Sequence, residues 1–467
     1  MATATTSIDE VPVNSFHRRI ILAAMGGPFC DGYLLGIIAA ALVSLKPQMH
    51  LGALWLGLIA SSALIGLFAG GLVFGPVTDR VGRQTMYVIN LAVFALLSAA
   101  QFFVHSPWQL LALRLAIGVA IGADYPIATA LTTELVPRKL RGPALSALML
   151  AWWVGTGVSY AAGWAMSGLG SSAWRWMLLS GALPAVVFLL LRTGIPESPR
   201  WLAAQGRTEE AIRIVRAHFG PDAGTGDLVQ AGTAPAQRRG SGLANIGQLF
   251  RRGYGRQLTF CSVFWFCMVA PSFALRTFQP AVLKSLGVHG ELMTSTLIMV
   301  LSVGGVALGL VLVNRIGRRA LLIASLGCMV GAFLLLSVLP LAAVVVVVSL
   351  FAVYNIAEAG GSGLQFVYPN ELFPTDLRGT GMGFVTAMSR IGAAGGTLVL
   401  PLTVDAIGTR GALLVAAGIV AAGLVASVVL APETNGLSLA ECSQADHQAA
   451  GADRTGVAPA ETPVARS

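Results

Sequence analysis

Residues 134–142 read ELVPRKLRG, and residues 371–379 read ELFPTDLRG. In both copies an acid, a leucine and a proline precede an Arg-Gly pair, and each copy closes a long apolar run. A second repeated pair stands upstream. GPVTDRVGR (75–83) and LVNRIGRR (312–319) also follow apolar runs, and Asp79 to Glu134 and Asn314 to Glu371 span nearly equal lengths of chain. Two elements recurring in one order at one spacing predict a chain built from two similar halves.

Composition sets the class. Of 467 residues, 55% are hydrophobic and 11% charged, with a mean hydropathy of +0.75. Soluble domains average about 25% charged residues, so the chain reads as an all-α integral membrane protein. The 55 glycines suit helices packed closely in lipid. A spanning helix needs about 20 apolar residues. Twelve stretches qualify: 18–42, 53–77, 84–104, 107–135, 142–166, 173–193, 256–284, 290–313, 319–338, 341–369, 377–403 and 409–431. They divide into two six-helix halves, 1–193 and 256–442. Between them, 194–255 predicts an amphipathic surface helix carrying Leu202, Ala203, Ile212 and Val215, then a flexible linker. The Ala/Gly/Pro-rich tail, 443–467, predicts disorder.

Charge placement gives orientation. Most of the 30 lysines and arginines fall in the N-terminus, the even-numbered loops and the tail. This predicts a multi-pass protein of the cell (inner or plasma) membrane with both termini in the cytoplasm. The net charge of +9 is therefore topological and does not point to nucleic acid. The first apolar run lacks a small-residue cleavage site and reads as a retained helix. The five cysteines show no metal-ligand or disulfide spacing, and no phosphate-cradling loop, HExxH or nucleophile elbow is present. The expectation is a monomer, not an enzyme, with no cofactor or metal, meeting a small molecule and the bilayer.

GPVTDRVGR, PESPRWL (196–202), PETNGLSL (432–439) and the repeated E-L-x-P-x-x-x-R-G element resemble the major facilitator superfamily, in its sugar-porter-like or metabolite:proton symporter branch, over roughly residues 15–440. The resemblance implies that fold, with alternating access to a substrate held between the halves near midplane. It also implies a gating set: Asp79, Arg80, Arg83, Glu134, Arg141, Arg315, Arg318, Glu371 and Arg378, whose ion pairs latch the outward-facing state. Ordinary topological and capping charge is the competing reading. Asn314 stands where the second half would carry an acid.

Charges inside the spans mark the candidate site. FCDGYLLGII (29–38) carries Asp31 in mid-span, where a carboxylate costs about 3 kcal/mol on insertion scales and is a proton-relay candidate. A carboxylate hydrogen-bonded for packing alone is the alternative. Asp124 in GADYPIATALTTE (122–134) and Arg114 complete the expected proton-coupling set, Arg114 being the nearest cation by sequence logic. Sugar-porter relatives place their acid at the position of Leu34 and pair it with an arginine matching Arg114. The DGY order instead resembles aromatic-acid and phosphate proton symporters, and GADYP resembles the phosphate group, which implies a substrate or coupling role for Asp124 and Tyr125.

The expected substrate-binding set is Arg390, Arg276, Tyr125, Glu358 and Trp265. Guanidinium binds carboxylate through two parallel hydrogen bonds, and Arg390-Ile391-Gly392 resembles organic-anion and aromatic-acid transporters. Glu358 is also a candidate to satisfy one of these arginines internally. Sugar porters carry a Gln-Gln pair on the seventh span, where this chain has Gln279; Val269 stands where phosphate relatives carry an acid. The expectation is proton-coupled symport of a small organic anion, protons being the coupling ion. Sugar, polyol or phosphate symport, proton-driven drug efflux and a transporter-like sensor are the alternatives.

Overall fold

The computed structural model describes residues 6–7, 11–219, 223–224, 242–339, 344–374 and 377–435, with backbone alone at 6–7, 75–76, 79, 125–126, 130, 223–224 and 242–245. The expected tail, 443–467, and the side chains of Asp79 and Tyr125 lie outside the described residues.

Local chemistry starts the helices. Asn14 accepts the N–H of His17 while the His17 ring accepts that of Asn14, each at 3.1 Å, a reciprocal cap that opens α1 (Ser15–Gln48). Ser106 and Gln109 do the same for α4 (Pro107–Leu135), with Pro107 at its first position. Between them run α2 (Ala53–Val81) and α3 (Arg83–Gln101). α5 (Arg138–Met166) turns through Ser167–Ser172 into a sixth span split as α6 (Ala173–Ser180) and α7 (Ala182–Arg192).

The second half repeats this order with α11 (Gly255–Ser285), α12 (Glu291–Arg315), α13 (Arg318–Val338), the split span α14 (Val344–Gly361) and α15 (Leu364–Leu372), and α16 (Arg378–Leu430). α16 is a 53-residue run that doubles back at Gly408, φ +74°, and so supplies two spans. Among the described residues ten apolar stretches are long enough to cross a membrane; two of them contain such a reversal, which gives the twelve spans of an all-α fold. The halves meet where α2 packs on α16, α5 on α12 and α1 on α11.

The segment between the halves differs from expectation. α8 (Pro199–Ala204) and α9 (Thr208–Phe219) form, burying Leu202, Ala203, Ala211, Val215 and Phe219, but Ile212 is only half-buried. Directly after the stretch 221–242, expected as flexible linker, residues 242–251 form α10 (Gly242–Arg251), which buries Leu249 against the second half. A two-residue parallel pairing, β1 (Thr6–Ser7) with β2 (Ala223–Gly224), ties the segment after α9 to the start of the chain.

Candidate functional site

A narrow cavity is lined by Leu35, Gly36, Trp152, Thr156, Tyr160, Phe273, Arg276 and Thr277, from α1, α5 and α11. It lies where the halves meet. Arg276 organises it: Nη2 donates to Glu358 Oε2 at 2.5 Å in a pair that is nearly inaccessible to water. The guanidinium carbon stands 4.7 Å from the Trp153 ring centre, 5.1 Å from that of Phe273 and 5.3 Å from that of Trp152. Such ring faces favour a desolvated cation. The Tyr160 hydroxyl crosses from α5 to donate to the Arg276 carbonyl. Arg276 Nε is buried with no hydrogen-bond partner among the described residues, so the fork keeps a donor to offer.

Trp265, expected at the cavity, lies outside its lining. It sits eleven residues before Arg276, about 16 Å along the helix, and packs on Phe366 with ring centres 5.3 Å apart. Gln279 is buried and accepts from Asn355 Nδ2 at 3.4 Å.

The acids and arginines are arranged differently from the sequence expectation. Asp31 and Asp124 are both buried, and each lies within the other's electrostatic reach; the cation acting on Asp31 is Arg390, from the opposite half. Arg114 instead donates Nη1 to the carbonyl of Leu34 at 2.8 Å, while its buried Nε and Nη2 have no partner among the described residues. A three-residue shift on a helix moves a side chain by about 4.5 Å and about 60° around the axis. Asp31 therefore clears the Arg114 guanidinium, which meets bare backbone at the position where relatives place their acid. Asp124 Oδ1 accepts from Asn90 Nδ2 at 3.1 Å.

The helix ends on the face carrying Ser15 hold a second constellation, repeated in both halves. Arg83 pairs with Glu134, whose other oxygen takes the Ser198 hydroxyl; Arg318 lies 3.5 Å from Glu371, which takes the Thr434 hydroxyl at 2.5 Å. Glu197 accepts the N–H groups of Arg83 and Gln84 at 3.1 and 3.0 Å, and Glu433 those of Arg318 and Arg319 at 3.1 and 3.2 Å. A carboxylate at a helix N-terminus satisfies orphan donors and meets the positive end of the helix dipole. Gly82 and Gly317, φ +107° and +88°, make the close approach possible, since a Cβ on either would strike that carboxylate. Arg141 and Arg378 each donate Nε to a carbonyl five residues back, Val136 and Phe373, at 3.1 and 3.3 Å. Arg80 and Arg315 are exposed. The pairs described here join elements of one half.

Sequence reasoning missed Tyr87, Asn90, Tyr160 and Arg192 inside the bundle, and Glu197, Ser198, Glu433 and Thr434 at the helix ends. The last four stand at matching places in PES and PET, a repeat that was visible. Arg192 is the last residue of α7. Among the described residues no group of three His, Cys, Asp or Glu side chains is placed to hold a metal ion.

A family model described as "Sugar (and other) transporter" matches residues 20–445. The inner membrane metabolite transport protein YgcS of Escherichia coli (strain K12) is 38% identical over 439 residues, covering 94% of this chain and 96% of its own length. The niacin transporter NiaP of Acinetobacter baylyi is 26% identical, covering 84% and 88%. Among solved structures, the xylose transporter XylE from E. coli in a partially occluded inward open conformation matches with a TM-score of 0.76 at 21% identity, covering 91% of this chain and 100% of that one. XylE described as a proton:xylose symporter bound to 6-bromo-6-deoxy-D-glucose matches at 0.68 and 22% identity, covering 92% and 98%.

Proposed function

The chain belongs to the sugar (and other) transporter family, and from that premise we propose that it is a proton-coupled symporter of a small organic anion, a carboxylate or aromatic-acid metabolite. That it is a membrane transporter of the major facilitator superfamily, and not an enzyme, follows from the family itself.

The observation that carries the anion reading is Arg276. Its guanidinium is framed by Trp152, Trp153 and Phe273 at the junction of the halves, and its Nε is unpartnered while Glu358 holds Nη2. Rings beside a fixed cation with a spare donor suit a planar acid. A relative named as a niacin transporter agrees with such a substrate.

Asp31 and Asp124 supply the proton-coupling carboxyls, with Arg390 as the cation that responds to them. Protonating Asp31 removes a negative charge that acts on Arg390 and raises the affinity of the centre for an anion. By linkage, a bound anion then favours proton uptake by the same amount. The name proton:xylose symporter printed for XylE agrees with protons as the coupling ion. Both termini lie in the cytoplasm, and the Arg83–Glu134 and Arg318–Glu371 pairs stiffen the cytoplasmic ends of the halves, 1–193 and 256–442, as they rock.

A sugar or polyol is the second reading, favoured by the hydroxyls of Thr156, Tyr160 and Thr277 on the same lining. Proteoliposomes under an imposed pH gradient separate the two, with labelled nicotinate, benzoate and xylose as probes. Acid accumulation that collapses with an uncoupler is the expected result. Accumulation of xylose alone transfers the assignment to sugar, and uptake indifferent to the uncoupler removes symport.

A further inference from the structure

Residues 26–28 of α1 read Gly-Gly-Pro, about one turn before Asp31. Pro28 has no N–H, so the carbonyl of Ala24 loses its helical partner. Tyr87 of α3 fills the gap: its hydroxyl donates to Ala24 O at 2.8 Å and accepts the N–H of Gly27 at 2.9 Å. Arg192 of α7 covers the neighbouring carbonyl, with Nε and Nη2 donating to Ala23 O at 3.0 and 2.6 Å and its guanidinium over the Tyr87 ring. Side chains, all buried, thus seal the break that proline makes in a spanning helix.

The Tyr87 hydroxyl has a second neighbour. A Cβ on Gly27 would strike both that hydroxyl and Oδ2 of Asp124, so the two oxygens flank one point above the Gly27 backbone. Oδ2 is buried and has no hydrogen-bond partner among the described residues. The other groups acting around Asp124 are Cys30 and Asp31 of α1 and Asn90 of α3, with Arg192 of α7 behind Tyr87 and Arg390 of α16 acting on Asp31.

A phenol has one hydrogen and two lone pairs. The structure shows no hydrogen bond between the two oxygens, and while Asp124 is protonated the phenol hydrogen stays on Ala24. Once Asp124 is ionised, it accepts the phenol hydrogen, because a charge-assisted bond is about twice as strong as a neutral one. Ala24 O is then buried without a donor.

We propose that Tyr87 is a positioning residue that converts the protonation state of Asp124 into the bending of α1 at Gly26–Pro28: protonated Asp124 leaves the Ala24 seal closed, and ionised Asp124 opens it. This inference rests on the proton-coupled reading above and supplies its conformational step. No proton is transferred through Tyr87; its hydrogen changes acceptor.

Hydrogen–deuterium exchange of the α1 segment 20–30, in nanodiscs with no substrate and no gradient, tests it. After correction for intrinsic rates, wild-type exchange rises by about tenfold over the range in which a buried carboxyl titrates, the factor expected from one unsatisfied carbonyl. Asp124→Asn stays slow at every pH, and Tyr87→Phe is fast at every pH. Adding Pro28→Ala to Tyr87→Phe restores the backbone partner of Ala24 and slows exchange again. A pH step that survives in Asp124→Asn, or a Tyr87→Phe protein that exchanges as wild type, overturns the proposal. If Tyr87→Phe does not fold, Pro28→Ala alone decides, since it must also abolish the step. Gradient-driven uptake is measured separately. Its failure removes symport, whereas a missing exchange step in a protein that still accumulates substrate removes this inference alone.

Discussion

Replacing Glu358 by glutamine leaves Arg276 as an uncompensated cation in the membrane-buried centre. The side chains are 7% and 4% exposed and 2.5 Å apart. At an effective dielectric of about 20, unit charges about 4 Å apart attract by about 4 kcal/mol. Removing one member of a buried pair costs about 3–5 kcal/mol, because the survivor keeps its desolvation penalty, whereas replacing both by apolar groups of similar volume is close to neutral. The three rings around Arg276 offset part of the loss, since a desolvated cation–ring contact contributes about 2 kcal/mol. The expected cost of Glu358→Gln is therefore at the lower end, about 3 kcal/mol. The assay is thermal unfolding followed by tryptophan fluorescence at fixed detergent concentration, run as a double-mutant cycle with Arg276→Met, Glu358→Leu and the pair together. The double variant should recover most of the stability lost by either single one, yet fail to transport. Single variants that each cost under about 1 kcal/mol, or a double variant that costs their sum, refute the claim that this pair is desolvated and mutually required.

Other outcomes follow from the same geometry. Leu34→Asp gives the buried Arg114 a nearby carboxylate and should offset about 1–3 kcal/mol of the roughly 2–5 kcal/mol lost with the buried leucine; a Leu34→Asn variant as stable as Leu34→Asp would mean that Arg114 is already satisfied. Glu197→Gln and Glu433→Gln each weaken a charged cap on a helix N-terminus and should each cost about 1 kcal/mol, adding independently because they lie in different halves; strong non-additivity in unfolding would show that the two caps communicate. Asp31→Asn should lose gradient-driven accumulation while keeping counterflow, and wild-type accumulation would remove Asp31 from coupling. Burial and the nearby Arg19 hold the His218 imidazole below its ordinary value of 6.5, where it stacks on Phe16 with ring centres 4.2 Å apart. The neutral form is favoured in the docked state, so docking of α9 should be fully stable above about pH 6.5 and weaken as pH falls through the lowered value. Limited proteolysis around α9 should show this, and His218→Gln should abolish it.

The apolar spans and the repeated helix-end motifs are legible in the sequence because each depends on neighbours in the chain. About 20 apolar residues can satisfy their backbone in lipid only as a helix, and a repeat at matched spacing can only be a repeated structure. The turn of α16 at Gly408 changes nothing in the count of spans. Residues 243–251 were less legible: they form most of α10, with Leu249 buried. The members of the charged centre could likewise be named from the sequence, as Asp31, Arg114, Asp124, Arg276, Glu358 and Arg390. Their partners could not. The sequence offers each arginine several acids on other helices, and only packing decides which of them it meets. Tertiary structure alone gave Glu358 to Arg276, set Arg390 to act on Asp31 across the halves, and left Arg114 on the carbonyl of Leu34. It alone brought Tyr87 and Arg192 to the carbonyls beside Pro28. The physical reason is the same in each case. Apolar length and local capping are properties of a segment, whereas the compensation of a buried charge or an orphaned carbonyl is a property of whatever helix packs against it.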